Sequence, residues 1–176
     1  MTLISPQKNQ FVIKAATQAD ESFLWEMLYE AAHMEQAGEP FADAKTNPAL
    51  VKYVADWGRE HDIGVIVLNP ADGVSIAASW VRVFNETNKG YGYVREGIPE
   101  LAMGTVKKYR RQGAGVLGLE AIIQRVKLTH PAISLSVRAN NHAAISLYQK
   151  LGFKKILQSE SKNRAGGVSF CMILEF

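Results

Sequence analysis

A single cysteine, Cys171, leaves this 176-residue chain without a partner for an intramolecular disulfide, so a disulfide-stapled secreted scaffold is excluded and a reducing, cytoplasmic compartment is expected. Cys171 sits in the apolar run from Val168 to Leu174, where a small buried core residue is expected rather than a nucleophile. Long apolar runs are also missing. No stretch approaches the roughly 18 residues of a membrane span, and Met1 to Gln10 has no apolar segment of a secretory signal. Repeats and low-complexity tracts are absent. The excess of positive charge is only +3; it suits an anionic ligand but falls short of the dense basic stripe of a dedicated nucleic-acid binder. The four histidines, His33, His61, His130 and His142, show no metal-ligand spacing, and no metal is expected. Apolar residues at 47% and charged residues at 21% are ordinary for a globular protein. The length fits one domain covering residues 1–176.

Periodicity places the elements. Phe11 to Ala15 reads as a strand, and Asp20 as the N-cap of a helix burying Phe23, Leu24, Met27, Leu28 and Ala31. Ala37 to Asn47 reads as a loop. Asn47 and Pro48 then form an N-cap and N1 pair for a second helix with Leu50 or Val51, Val54 and Trp57 on one face. Ile63 to Leu68 and Val74 to Phe84 form a hairpin around Asn69 to Gly73. The segment from Asn85 to Pro99 is loop-like, and Glu100 to Val106 is a short strand. A helix follows, expected to bury Val116, Leu119, Ile123 and Val126; then come a strand at Ile133 to Val137, a helix at Asn141 to Leu151, and a last hairpin of Phe153 to Gln158 with Val168 to Phe176. The fold class is α/β in the α+β sense, a mixed sheet with helices on both faces.

The most informative unit is strand, Arg110-Arg111-Gln112-Gly113-Ala114-Gly115, then amphipathic helix. The first N–H groups of a helix lack internal partners and carry partial positive charge. Glycines there let a pyrophosphate approach, and Lys107, Lys108, Arg110 and Arg111 add attraction over distance. Gly113, Gly115 and Gly118 also spell GxGxxG. The dinucleotide reading fails on context, because the motif lies mid-chain and no acidic residue follows about 20 residues on.

A second unit runs from Leu135 to Phe153, containing Asn141-His142-Ala143-Ala144-Ile145-Ser146-Leu147-Tyr148 and closing on Gly152-Phe153. Together with Arg110 to Gly115 it closely resembles the paired motifs of the GNAT acyltransferases, in the order that family uses. The resemblance is strong from Glu100 to Phe153. It implies a mostly antiparallel central sheet with one splayed parallel pair, here Glu100 to Thr105 and Ile133 to Val137. It further implies acetyl-CoA as co-substrate, with pantetheine on the backbone of Met103, Gly104 and Thr105. Pyrophosphate would lie on Arg110, Arg111, Gln112, Gly113, Ala114, Gly115 and Val116, and the cofactor arm and sulfur near Asn141 and Tyr148. Asn141 also suits a helix N-cap, and Tyr148 also suits the core.

The reaction so implied is direct attack of a neutral amine, on a small molecule or protein, on the thioester in a ternary complex. Tyr148 is the expected donor to the leaving thiolate. For the base, some members carry a glutamate where this chain has Ser136, so Glu100 is the best remaining carboxylate, with Glu96 next. An acyl-CoA-binding module without transfer activity is the alternative. The acceptor would be set by the first two helices and by Asn85 to Pro99, where Trp25, Trp57, Trp80, Tyr91 and Tyr93 are candidates. Oligomeric state stays open, a homodimer included.

Overall fold

The structure, a computed structural model, describes residues 11–176; the reading of Met1 to Gln10 lies outside the described residues. The chain runs through β1 (Val12–Ala15), α1 (Glu21–Ala31), α2 (Phe41–Ala44), α3 (Pro48–Val51), β2 (Ile63–Leu68), β3 (Ser75–Arg82), β4 (Glu100–Thr105), α4 (Ala114–Val126), β5 (Ala132–Arg138), α5 (His142–Lys150), β6 (Lys154–Lys155), β7 (Ser161–Lys162) and β8 (Val168–Glu175). The strands form one sheet in the order β1-β2-β3-β4-β5-β8-β6, with β7 also on β8. Every pairing is antiparallel except β4 with β5. The mixed, mostly antiparallel sheet expected from the sequence is therefore present.

Helices cover both faces. Alternation along β4 sends Ala102 into the layer of α1 to α3, built on Leu24, Met27, Val54, Trp57 and Trp80. Leu101 and Met103 join the opposite layer, with Leu119, Ile122 and Val126 of α4. Several expectations need correcting. The second helix, α3, ends at Val51, so Val54 and Trp57 lie beyond it. Ala37 to Asn47 contains the short helix α2. Val116 is 37% exposed, and α4 instead buries Ala114, Gly118, Leu119, Ile122, Ile123 and Val126. The last hairpin is β7 with β8; Phe153 to Gln158 contributes only the two-residue β6, paired further along β8. The α3 cap forms as expected, Asn47 accepting from the Ala49 amide at 2.9 Å, whereas Asp20 makes no side-chain cap to α1 and takes Lys14 and the Thr17 amide instead.

The segment after α3 carries a site residue, and an internal ion pair anchors it. Arg82 donates to both oxygens of Asp62, at 2.8 and 2.6 Å, and to the carbonyls of Lys52 and Ala55. Both side chains are almost fully buried. The guanidinium also lies over the Trp57 ring at 5.6 Å, so its charge is satisfied on every side.

Candidate active site

β4 and β5 pair at one position only, Glu100 with Ser134; the Ser134 amide donates to the Pro99 carbonyl at 3.0 Å. Beyond it the strands part, and a cavity of about 500 Å³ opens between them. On the other edge of β4 the Val106 amide donates to Ile76 of the β3 side. Since polar groups alternate along a strand, those of Leu101, Met103 and Thr105 turn to the cavity side and those of Gly104 turn to β3. Met103 and Thr105 thus offer an unpaired edge to an extended ligand. Gly104 lines the cavity without offering that edge. Its lack of a side chain serves packing, because a Cβ there would lie 2.4 Å from the Met27 carbonyl of α1.

At the wide end, Gly113 stands at φ +92° as N-cap of α4, preceded by Arg111 at φ +60°. The first helical bond of α4 is Leu117 to Gly113, which leaves the amides of Ala114, Gly115 and Val116 without helical partners. A Cβ at Gly115 would sit 3.0 Å from the Thr105 hydroxyl, so this glycine lets the helix start lie close to the end of β4. Arg110 lines the cavity, while Arg111 to Val116 lie outside its wall. The basic run is not a free patch. Arg110 pairs with Glu30 and Lys107 with Glu35.

Asn141 caps α5, accepting from the Ala144 amide at 3.2 Å, and also lines the cavity. Both roles foreseen for it are therefore geometrically compatible. Tyr148 lines the same cavity, its ring 5.6 Å from that of Phe153. Burial alone pushes its phenol up to about 12, so it holds its proton at neutral pH.

Glu100 stands at the narrow end and is 3% exposed, not the solvated charge that a strand start usually carries. Its Oε1 accepts from the Tyr53 hydroxyl at 2.6 Å and the Gly92 amide at 2.8 Å. Its Oε2 is buried without a partner among the described residues. Burial pushes the carboxyl up to about 7 against the lowering effect of those two donors and of Lys52. A carboxyl that exchanges its proton near neutral pH can serve as a base. Glu96 does not line the cavity.

The segment over Glu100 is tied down at each residue. Tyr91 donates its amide to the Tyr53 hydroxyl at 2.7 Å, and its carbonyl receives the Cys171 thiol at 3.4 Å. The Gly92 carbonyl receives the Ser134 hydroxyl at 2.8 Å. A Cβ at Gly90 would fall 2.0 Å from Glu100 Oε2, so only glycine fits there. Of the aromatics expected around an acceptor, Tyr91 lines the cavity, whereas Trp25, Trp57 and Trp80 are core and Tyr93 stands apart. Among the cavity residues that sequence reasoning missed are Tyr53, Arg138 and Arg164. Arg138 and Arg164 both donate to the Ala32 carbonyl, and Arg164 also pairs with Glu39, drawing the 163–167 turn onto the loop after α1.

A sheet opened between two parallel strands, with a glycine-containing helix start at its wide end, defines the GNAT fold. Solved structures agree. The ribosomal-protein-S18-alanine N-acetyltransferase of Escherichia coli superposes with a TM-score of 0.65 at 20% identity, covering 94% of each chain. A candidate acetyltransferase from Salmonella typhimurium, solved with its cofactor acetyl-CoA, gives 0.64 at 14% identity, again over 94% of each chain. In sequence, residues 93–162 match the FR47-like protein family. A curated relative, the N-alpha-acetyltransferase of Saccharolobus solfataricus, is 40% identical over 109 residues, which are 61% of this chain; the chain spans 64% of that relative's length. The chain therefore has the GNAT fold. Among the described residues no helix is long and apolar enough to cross a membrane.

Proposed function

We propose that this protein is an N-acetyltransferase that moves an acetyl group from acetyl-CoA to a primary amine by direct attack in a ternary complex. The observation that carries the proposal is one cavity holding an unpaired strand edge, a protonated phenol and a buried carboxyl that titrates near neutrality. The residues fit the co-substrate. Met103 and Thr105 provide edge groups for the pantetheine amides, and the α4 amides of Ala114 to Val116 provide donors for the pyrophosphate. Arg110, Arg111, Gln112 and Gly113 shape that helix start, and Asn141 flanks the arm. Acetyl-CoA supplies an acyl group activated as a thioester.

The chain's own groups then act as follows. The amine gives a proton to Glu100, and its nitrogen forms a bond to the acyl carbon. The carbon–sulfur bond breaks, and the leaving sulfur takes the Tyr148 proton. Cavity-facing N–H groups of β4 polarise the carbonyl. The name of the Saccharolobus relative supports the α-amine of a polypeptide as acceptor. The lone buried cysteine supports a cytoplasmic setting. A buried carboxyl with an unpartnered oxygen favours transfer over mere binding, because it is costly to keep in a protein that moves no proton.

Release of free thiol from acetyl-CoA, measured across short peptides with free or blocked N-termini, tests this. Turnover that needs the free amine is expected. Tight acetyl-CoA binding without thiol release from any amine would leave only a binding module.

A further inference from the structure

Glu100 is held in an unusual way. Among the described residues no arginine or lysine pairs with it, and its one side-chain donor is Tyr53, from the segment after α3. The Tyr53 hydroxyl bridges two things at once, donating to Glu100 Oε1 and accepting the Tyr91 amide. Tyr53 is 5% exposed, its ring packed edge-on against Phe84 at 5.1 Å. Its carbonyl accepts the Trp80 indole N–H at 3.0 Å. The two residues that flank it in this contact, Lys52 and Ala55, are gripped through their carbonyls by Arg82. Tyr53 is thus held through its hydroxyl, its ring and its carbonyl, although it lies in a connecting segment.

We propose that Tyr53 is the positioning residue for Glu100: its hydroxyl fixes one carboxyl oxygen, pins the Gly90–Tyr93 segment above it, and leaves the second oxygen free for the proton of the acceptor. The inference rests on Glu100 being the proton acceptor of the transfer. Burial and the neighbouring carboxyl raise the Tyr53 phenol well above its ordinary value, so it stays a donor through the working range. The other charged or titratable groups facing Glu100 are few. Lys52 acts from a distance, Arg82 stands opposite on β3 but is committed to Asp62, and Tyr91 and Cys171 are neutral. Among them, Tyr53 alone touches the carboxyl, so its hydroxyl is the group placed to tune the ionisation of Glu100.

The test replaces Tyr53 by phenylalanine and, separately, by site-specifically incorporated 3-fluorotyrosine, whose more acidic phenol donates a stronger hydrogen bond. Titration of the Glu100 side-chain carboxyl by carbon-13 NMR, assigned with Glu100→Gln, reads the ionisation without turnover. The acidic limb of kcat/KM reads it during turnover. Tyr53→Phe should move the Glu100 midpoint up by about one pH unit, and fluorotyrosine should move it down. Should the phenylalanine variant fail to fold, the fluorotyrosine protein still gives a signed answer. A midpoint unmoved by either change, with only stability or overall rate affected, overturns the role given to Tyr53. A midpoint that moves in both directions supports it; if the rate profile then fails to follow, it is Glu100 that loses its part in the transfer.

Discussion

Replacing Glu100 by glutamine should stabilise the protein above neutral pH while removing most of its activity. Burial holds the carboxyl at about 7 in the folded state, against an ordinary value of 4.5. The folded chain therefore binds this proton more tightly than the unfolded chain does. Stability from the protonated form is fully present below pH 4.5 and is lost as pH rises through about 7. A shift of roughly 2.5 units at 1.36 kcal/mol each sets an upper limit of about 3 kcal/mol. Glutamine keeps an oxygen to accept from Tyr53 and Gly92 but carries no charge at any pH. The variant should match the wild type near pH 4.5 and exceed it by about 1–3 kcal/mol at pH 8. Urea unfolding at both pH values measures the difference, in which the titration of all other groups cancels. Turnover should fall roughly 10²–10⁴-fold, the span of general base catalysis. A gap that does not widen with pH would mean that Glu100 is not held neutral by burial, and the basis for assigning it the proton would disappear.

Tyr148→Phe keeps the packing against Phe153 but removes the proton assigned to the leaving sulfur; turnover should fall roughly 10²–10⁴-fold with acetyl-CoA affinity retained, and full turnover would return Tyr148 to the core. Gly113→Val forces a β-branched residue to φ +92°, where nothing crowds the position but the backbone disfavours a side chain. Coenzyme A binding by calorimetry should weaken at least tenfold, about 1.4 kcal/mol, and unchanged affinity would move the phosphates elsewhere. Asp62→Ala strands the buried Arg82 charge and should cost about 3–5 kcal/mol in chemical unfolding; a loss below about 1 kcal/mol would show that water reaches the guanidinium.

The second half of the chain was legible because its signals are local. A cap, a glycine at positive φ and an amphipathic repeat lie within a few residues of each other, and Asn141, Gly113 and Gly152 each occupy the place their type suggests. Val116 misled for a physical reason. Where α4 approaches β2 and β3 most closely, the sheet admits Ala114 and Gly118, so proximity selects small residues over apolar ones. Tyr53 was out of reach for another reason. Its partner is 47 positions away, and no periodicity records a hydrogen bond made across two layers. Glu100 was legible as a candidate, but not its burial, which depends on two glycines of a segment that reads only as loop.

The single contact between β4 and β5 gives the molecule an unusual mechanical character. One half of the sheet, β1 to β4, and the other, β5 to β8, share one backbone rung where ordinary neighbours share several. Cohesion across that seam comes from α4, which touches strands of both halves, and from side-chain ties such as Ser134 to Gly92 and Arg164 to Glu39. An extended molecule seated there would act as mortar between two plates. Each cycle of occupancy would then stiffen and relax the same joint, tying the rigidity of the cavity to the presence of the group it holds.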